Sequence, residues 1–108
     1  MVENTHDWFQ MDMAQHLATQ GAKVETEYKY DGNHRADIVA LFPDQFNVAI
    51  ECGQTSKRKM KKLKKQFVLA LHVPHSFDFA VTVATYRAVS DLIKKEHETW
   101  RRSGKKGK

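Results

Sequence analysis

The fold is decided by residues 34–54, which read HRADIVALFPDQFNVAIECGQ. Residues 34–42 and 46–51 are short and mostly apolar, as expected of two strands, and Pro-Asp-Gln at 43–45 is a turn signal between them. The stretch therefore predicts an antiparallel hairpin, and we expect the rest of the domain to be built around it.

The turn at 43–45 also predicts the register of the hairpin. With Phe42 opposite Phe46, the residue numbers of any two facing residues add up to 88. Asp37 therefore faces Glu51 across the two strands. Their Cβ atoms are then about 4.5–5.5 Å apart on one face of the sheet. A slip of one residue would place them on opposite faces, so the pairing depends on the turn.

Two carboxylates that face each other at the end of apolar strands need compensation, because like charges repel and burial removes their hydration. A divalent cation between Asp37 and Glu51 provides it. Mg²⁺ and Mn²⁺ suit the pair, because carboxylate and water oxygens are their preferred ligands. In the alternative interpretation Asp37 pairs with Arg35 or a lysine, and Glu51 caps a strand end. The spacing of the two carboxylates favours neither interpretation over the other.

Outside the hairpin, hydrophobic period and turn signals predict the other elements. They are a first helix to about residue 20, a strand over 24–30, a long helix over 56–71, a strand over 77–84 and a last helix over 86–100. We expect Trp8 and Met11 on the buried side of the first helix, and Leu92 on that of the last. The order α-β-β-β-α-β-α indicates an α/β domain with a central mixed sheet flanked by helices.

The length of 108 residues fits one domain over residues 1–102, followed by a disordered basic tail over 103–108. The single cysteine, Cys52, excludes an internal disulfide and a zinc site of several thiolates, and its place in the hairpin predicts a buried structural residue. No apolar run reaches membrane-spanning length, and residues 1–20 lack a signal-peptide pattern. We therefore expect a soluble, intracellular protein with no membrane partner.

Positive charge is unevenly distributed along the chain. The net charge is +5, and the basic residues concentrate in 57–65 and 94–108. Local charge of this density attracts polyanions and indicates nucleic acid as a partner. The alternative is a solvated helix face followed by a solubilising tail.

The order of elements, with an Asp late in one hairpin strand, a Glu at the end of the next and a basic helix after it, resembles the core of PD-(D/E)XK (restriction-endonuclease-like) nucleases. This superfamily includes restriction enzymes and Holliday-junction resolvases. The resemblance covers most of the chain, from the first helix to the last. It implies that Asp37 and Glu51 are catalytic residues that hold Mg²⁺ or Mn²⁺. Ala36 stands where the name-giving proline would be, which the family tolerates.

The chain departs from the family pattern at Gly53, where the family usually carries a lysine that positions or activates water. Gln54 and Lys57 are the candidates to take over that role, Lys57 by reaching back from the start of the following helix. Resolvase-like members often add a carboxylate from the first helix, and Asp12 is a candidate for it. Gly53 also suits a tight strand-to-helix turn.

Basic side chains on and near the predicted site are candidates for nucleic-acid binding. They are Arg35 on the second strand and, on the helix after the motif, Lys57, Arg58, Lys61, Lys64 and Lys65. Such side chains hold phosphates and read no base sequence. We see no base-reading helix, which favours a structure-selective or non-specific enzyme over a restriction enzyme.

The sequence thus predicts a Mg²⁺- or Mn²⁺-dependent endonuclease that hydrolyses phosphodiester bonds in duplex or branched DNA and acts as a homodimer. One alternative is a catalytically degenerate nucleic-acid-binding module of the same fold, because Gly53 replaces the lysine. Another is a subunit of a larger assembly, in which the basic face binds an acidic protein.

Overall fold

The computed structural model describes residues 5–104, which form three helices and four strands in the predicted order. The elements are α1 Thr5–Thr19, β1 Lys23–Asp31, β2 His34–Leu41, β3 Asn47–Cys52, α2 Lys57–Gln66, β4 Leu69–Val73 and α3 Phe79–Arg102. From residue 105 onward the predicted tail lies outside the described residues. No helix within residues 5–104 is long and apolar enough to cross a membrane.

The four strands form a mixed sheet in the order β1-β2-β3-β4. β1, β2 and β3 pair antiparallel as a meander, and β4 lies parallel to β3. A parallel neighbour requires a crossover connection, and α2 supplies it. The predicted α/β class with a mixed sheet is therefore confirmed.

The hairpin of β2 and β3 has the predicted register. Ile38 pairs with Ile50, one position inside the carboxylates. Phe42 N donates to Phe46 O at 3.1 Å, so these two residues close the turn as expected. Gln45 completes it with a left-handed φ of 73°, the conformation that a three-residue hairpin loop requires at its last position.

Apolar side chains cover both faces of the sheet. α1 and α3 pack on one face and form a first core, which includes Phe9, Met13, Leu17, Ile38, Ile50, Cys52, Tyr86, Ile93 and Trp100. α2 packs on the other face and forms a smaller second core, which includes Ala36, Val39, Ala49, Leu63, Phe67 and Ala70. The hairpin is thus buried between two helical layers, which explains why its strands are apolar on both faces.

The predicted buried sides of two helices are partly wrong. Trp8, Met11 and Leu92 are 40%, 63% and 41% exposed, whereas Phe9 and Met13 are buried in the first core. Apolar residues lie around much of the circumference of α1, so their spacing fits more than one orientation of the helix. Packing against the sheet and α3 selects the orientation.

The predicted extension of the second helix to residue 71 is wrong. α2 ends at Gln66, and Leu69–Val73 form β4 beside β3. The side-chain oxygen of Asn47 accepts a hydrogen bond from Val68 N at 2.8 Å and fixes the start of the strand. A short apolar run fits a strand or a buried helix equally well, and pairing with β3 decides between them here.

The predicted strand over 77–84 is also wrong, because these residues lead into α3. Asp78 caps the helix, and its carboxylate accepts from Ala80 N at 2.9 Å. Phe77 is fully exposed, which a central strand would not allow. With Leu69–Val73 already paired to β3, the apolar residues after Asp78 extend the last helix toward its N-terminus.

Asp44, in the hairpin turn, joins the hairpin to α3. His97 Nε2 lies 2.7 Å and Arg101 Nε 3.2 Å from Asp44 Oδ2. The buried ring of His97 stacks on Phe46 at a centroid distance of 4.6 Å. Burial opposes the charge of Asp44, but the hydrogen bonds from His97 and Arg101 outweigh it and hold the pKa of this carboxyl below its ordinary value.

We expect this contact to make stability acid-sensitive. A carboxyl whose pKa is lowered by folding stabilises the protein above its unfolded-state pKa, and this contribution is lost as the pH falls through the folded-state value. The urea midpoint should therefore fall below about pH 4. Asp44→Asn should be less stable than wild type at pH 7, by about 1 kcal/mol, and lose less stability on acidification. Equal acid sensitivity of the two proteins would contradict this assignment.

Candidate active site

Asp37 and Glu51 lie together where the paired part of the hairpin ends. Asp37 N donates to Glu51 Oε2 at 2.9 Å, and Cys52 N donates to Asp37 Oδ2 at 2.7 Å. Each carboxylate thus accepts a backbone N–H from the opposite strand, just beyond the Ile38–Ile50 pair. The two side chains predicted to face each other are brought together, and their orientation is fixed by the strands themselves.

Lys59 supplies the positive charge of this cluster. Its Nζ lies 2.7 Å from Glu51 Oε1, and the Glu51 side chain is only 2% exposed. Burial opposes the charge of Lys59, but the hydrogen bond to Glu51 and the charges of Glu51 and Asp37 raise its pKa above the ordinary value. The ammonium group therefore neutralises part of the negative charge that two neighbouring carboxylates concentrate.

The position of Lys59 follows from the start of α2. Ser56 is the N-cap and accepts a hydrogen bond from Lys59 N at 3.1 Å. Leu63, four residues further on, is fully buried, and residues four apart share one face of a helix. Lys59 thus points inward, whereas the predicted candidate Lys57 is exposed. No sequence signal distinguishes Lys59 from the neighbouring lysines, because its inward direction depends on how α2 packs on the sheet.

Gln10 and Glu27 border the cluster on the side of α1 and β1. Gln10 is 5% exposed, and its Nε2 donates to Glu27 Oε2 at 2.8 Å and to Asp37 O at 2.9 Å. Neither residue was predicted, since a lone glutamine or a strand glutamate carries no signal. Asp12, the predicted candidate on α1, contacts His16 and Arg87 instead, at 3.6 and 3.8 Å.

The backbone of β1 is distorted at Glu27. Its φ is 51°, a left-handed value that costs a residue with a side chain about 1–2 kcal/mol. Neighbouring positions pair with β2 in constant register, so Glu27 lies across from Asp37. Side chains four residues apart lie on the same face of a regular strand, but Val24 packs on the first core and Tyr28 on the second. The alternation of side chains is therefore reversed at the distortion. Strain of this kind concentrates at functional sites.

Gly53 has a backbone that explains the absence of lysine there. Its φ is 80°, and its N–H donates to Val73 O at 2.9 Å as the chain leaves β3. The imidazole of His72 also hydrogen-bonds the Gly53 carbonyl. A side chain at this position would be strained, which disfavours the lysine that the resembling family places two residues after the glutamate.

We expect Gly53→Ala to destabilise the protein by about 1–2 kcal/mol, because alanine is disfavoured at left-handed φ. A Cβ there would meet only His75, at 3.8 Å, so the cost arises from the backbone and not from a clash. Gly53→Asn is the matched control, since asparagine adopts this conformation more readily and should lose less stability. Equal losses in urea unfolding for both variants would contradict the backbone explanation.

Gln54 and Arg35, two further predicted residues, are both exposed. Gln54 is exposed and lines an open cavity of about 670 Å³ with Gly53, Thr55, His72, Pro74 and His75. Arg35 is exposed two residues before Asp37 and pairs in register with Lys29 of β1. Both stay at the margin of the site.

The predicted basic surface is present on α2. Lys57, Arg58, Lys61, Lys64 and Lys65 are all exposed. Three of them, Lys57, Lys61 and Lys64, line a groove of about 340 Å³ together with His72. This groove shares Thr55 and His72 with the larger cavity. The cavity at Gln54 therefore adjoins the groove along the lysines of α2.

Cys52 is the buried structural residue that its position predicts. It is 3% exposed, and burial raises the pKa of its thiol to about 12. A thiol that stays protonated at neutral pH is a poor nucleophile. Covalent catalysis by Cys52 is therefore excluded.

Asp37 and Glu51 are the carboxylates of this cluster that could hold a metal ion. Within residues 5–104 no group of three or more His, Cys, Asp and Glu side chains is arranged to hold one. Mg²⁺, however, uses one or two carboxylates and takes its other ligands from water and substrate phosphate. Asp37 and Glu51 meet that lower requirement, and Glu51 Oε1 already holds one cation, the ammonium of Lys59.

Comparison of this chain with protein-family models, with curated proteins and with solved structures found no match.

Proposed function

We propose that this protein is a Mg²⁺- or Mn²⁺-dependent endonuclease of the PD-(D/E)XK type that cleaves DNA. One observation carries the proposal: two strands of a hairpin and the helix that follows them assemble Asp37, Glu51 and Lys59 into one cluster. Two carboxylates and an ammonium group are the side chains that such an enzyme requires. The order of elements and the mixed sheet are compatible with the restriction-endonuclease-like arrangement.

In this proposal each charged side chain has one task. Asp37 and Glu51 hold the cation, which when bound supplies Lewis acidity toward a phosphoryl oxygen and favours ionisation of water. Lys59 takes the place of the strand lysine that Gly53 excludes, and donates hydrogen bonds to the phosphoryl group as negative charge develops on it. Gln54 remains a candidate to orient water, and Lys57 becomes a phosphate contact.

The groove along α2 supports DNA as the substrate. Lys57, Lys61 and Lys64 line this groove and present exposed ammonium groups to solvent. Contacts of this kind bind phosphates without reading bases, so we propose a structure-selective or non-specific enzyme. Affinity should fall steeply with salt, because each neutralised phosphate releases counterions.

We also propose that the enzyme acts as a homodimer. One cluster of Asp37, Glu51 and Lys59 can cut one DNA strand at a time. Cutting both strands of a duplex or junction at one place therefore requires two copies of the protein. Light scattering at the protein concentration of the cleavage assay tests this separately from the chemistry, and a monomer that cuts both strands would contradict it.

The test of the function is cleavage of labelled single-stranded, duplex and four-way-junction DNA in Mg²⁺, Mn²⁺ or EDTA. We expect cutting that requires a metal and differs among the three substrates. Binding is measured in parallel by fluorescence anisotropy in EDTA. Absence of cutting with either metal, at concentrations where the DNA is bound, would refute the nuclease.

The second candidate is a DNA-binding module that has lost catalysis. The observation that favours it is the short contact of Lys59 with Glu51, which in this reading serves as a permanent structural ion pair. Such a module binds DNA in EDTA but cuts it with neither metal, so the same assay separates the two functions.

A further inference from the structure

Tyr30 carries a buried hydroxyl group that the fold does not use. Its Oη is buried without a hydrogen-bond partner among residues 5–104. Its ring packs near Phe67 and His34, at centroid distances of 6.4 and 6.1 Å. Phenylalanine would fill the same space, and a buried hydroxyl without a partner costs about 1–3 kcal/mol. Packing therefore does not explain why this residue is a tyrosine.

Tyr30 packs against the second core, which α2 covers. Lys62 Nζ is 3.6 Å from Asp31, the residue next to Tyr30, and Lys59 lies one turn earlier on the same helix row. Burial raises the pKa of Tyr30, the charge of Lys59 lowers it, and the charges of Glu51 and Asp31 raise it further. The charges of Lys59 and Glu51 thus both act on the Tyr30 hydroxyl, which hydrogen-bonds to neither residue.

Binding of a divalent cation at Glu51 would leave Lys59 without its partner. The ammonium and the cation compete for Glu51 Oε1, because both are positive and the Glu51 side chain is nearly inaccessible. Lys59 then needs another acceptor close by, since a partly buried ammonium without one is costly. The phenolic oxygen of Tyr30 is an acceptor, and it has no hydrogen-bond partner among residues 5–104.

We propose that Tyr30 is a positioning residue, whose hydroxyl accepts a hydrogen bond from Lys59 when a divalent cation takes Glu51. This rests on the proposed function and deepens it. Tyr30 holds the ammonium group beside the site instead of letting it turn into solvent. The cation-free protein keeps Lys59 on Glu51, and the loaded protein keeps it on Tyr30, so the ammonium is in place in both states.

The test is Tyr30→Phe, with Tyr28→Phe as the matched control because Tyr28 also packs on Phe67, at 6.3 Å. In EDTA we expect Tyr30→Phe to unfold at the same urea concentration as wild type or a higher one. Its Kd for Mn²⁺, measured by calorimetry, should rise about tenfold, the effect of losing one hydrogen bond to a charged group. Cleavage should lose kcat with little change in KM. Tyr28→Phe should change none of these.

A double-mutant comparison shows whether Tyr30 acts through Lys59. In a Lys59→Met background, Tyr30→Phe should have no further effect on Mn²⁺ affinity. An equal effect in both backgrounds, or wild-type affinity in Tyr30→Phe, overturns the inference while the nuclease proposal stands. If the wild-type protein binds no Mn²⁺, both proposals fall together.

Discussion

Glu51→Gln should reduce metal-dependent DNA cleavage by on the order of 100-fold or more, because the loss of one charged ligand removes several kcal/mol of transition-state stabilisation. Glutamine keeps the shape of the side chain and an oxygen that can accept from Asp37 N, which Glu51 Oε2 does at 2.9 Å. The hairpin should therefore stay folded. The loss is measured as the single-turnover rate at saturating Mn²⁺.

The matched control for this substitution is Glu25→Gln. Glu25 also lies on a strand, but its side chain is 41% exposed and its carboxylate contacts the exposed Lys23 at 3.7 Å. We expect wild-type cleavage from it. If Glu51→Gln also cut at the wild-type rate, Glu51 would be a structural partner of Lys59 and the nuclease assignment would be wrong.

The hairpin could be predicted from sequence because local rules determine it. The Pro-Asp-Gln turn fixes which residues face each other, and the two-residue period of a strand carries that register along the chain to Asp37 and Glu51. The pairing of Ile38 with Ile50 confirms the count. Two short-range signals therefore suffice to bring together carboxylates that are fourteen residues apart.

The ammonium group could not be assigned in the same way. Lys57, Lys59 and Lys61 are alike in composition, and only the orientation of α2 on the sheet distinguishes them. That orientation is set by burial of Leu63 and Phe67 in the second core, contacts that are made with distant strands. A helix rotated by one residue, about 100°, would present a different lysine.

Glu27 and Gln10 lay beyond sequence reasoning for another reason. The alternation of charged and apolar residues along β1 predicts a regular strand, and nothing in it marks the left-handed φ of 51° at Glu27. The distortion exists because β1 must place Val24 and Tyr28 in cores on opposite faces of the sheet. The distortion thus depends on tertiary packing, and Glu27 at this position accepts a hydrogen bond from Gln10.

We expect Lys59→Met to lower the stability of the protein in EDTA and to increase the stability that Mn²⁺ adds. Breaking a fully buried ion pair costs about 3–5 kcal/mol. Lys59 is 29% exposed, so we expect a loss of about 2 kcal/mol in EDTA. Mn²⁺ should restore most of it, because a ligand present at a hundred times its Kd stabilises by about 2.7 kcal/mol. Without the competing ammonium, Glu51 should bind Mn²⁺ at least as tightly as in wild type.

Cleavage by Lys59→Met should nevertheless fall by on the order of 100-fold, because the hydrogen-bond donor to the phosphoryl group is gone. This separates the two roles of Lys59, since a purely structural lysine would restore cleavage together with stability when metal is added. Lys57→Met is the control: it removes an exposed ammonium two residues away and should weaken DNA binding in a salt-dependent way without changing the Mn²⁺ response. The reverse result, a cutting defect confined to Lys57→Met, would return the catalytic role to the residue that the sequence first indicated.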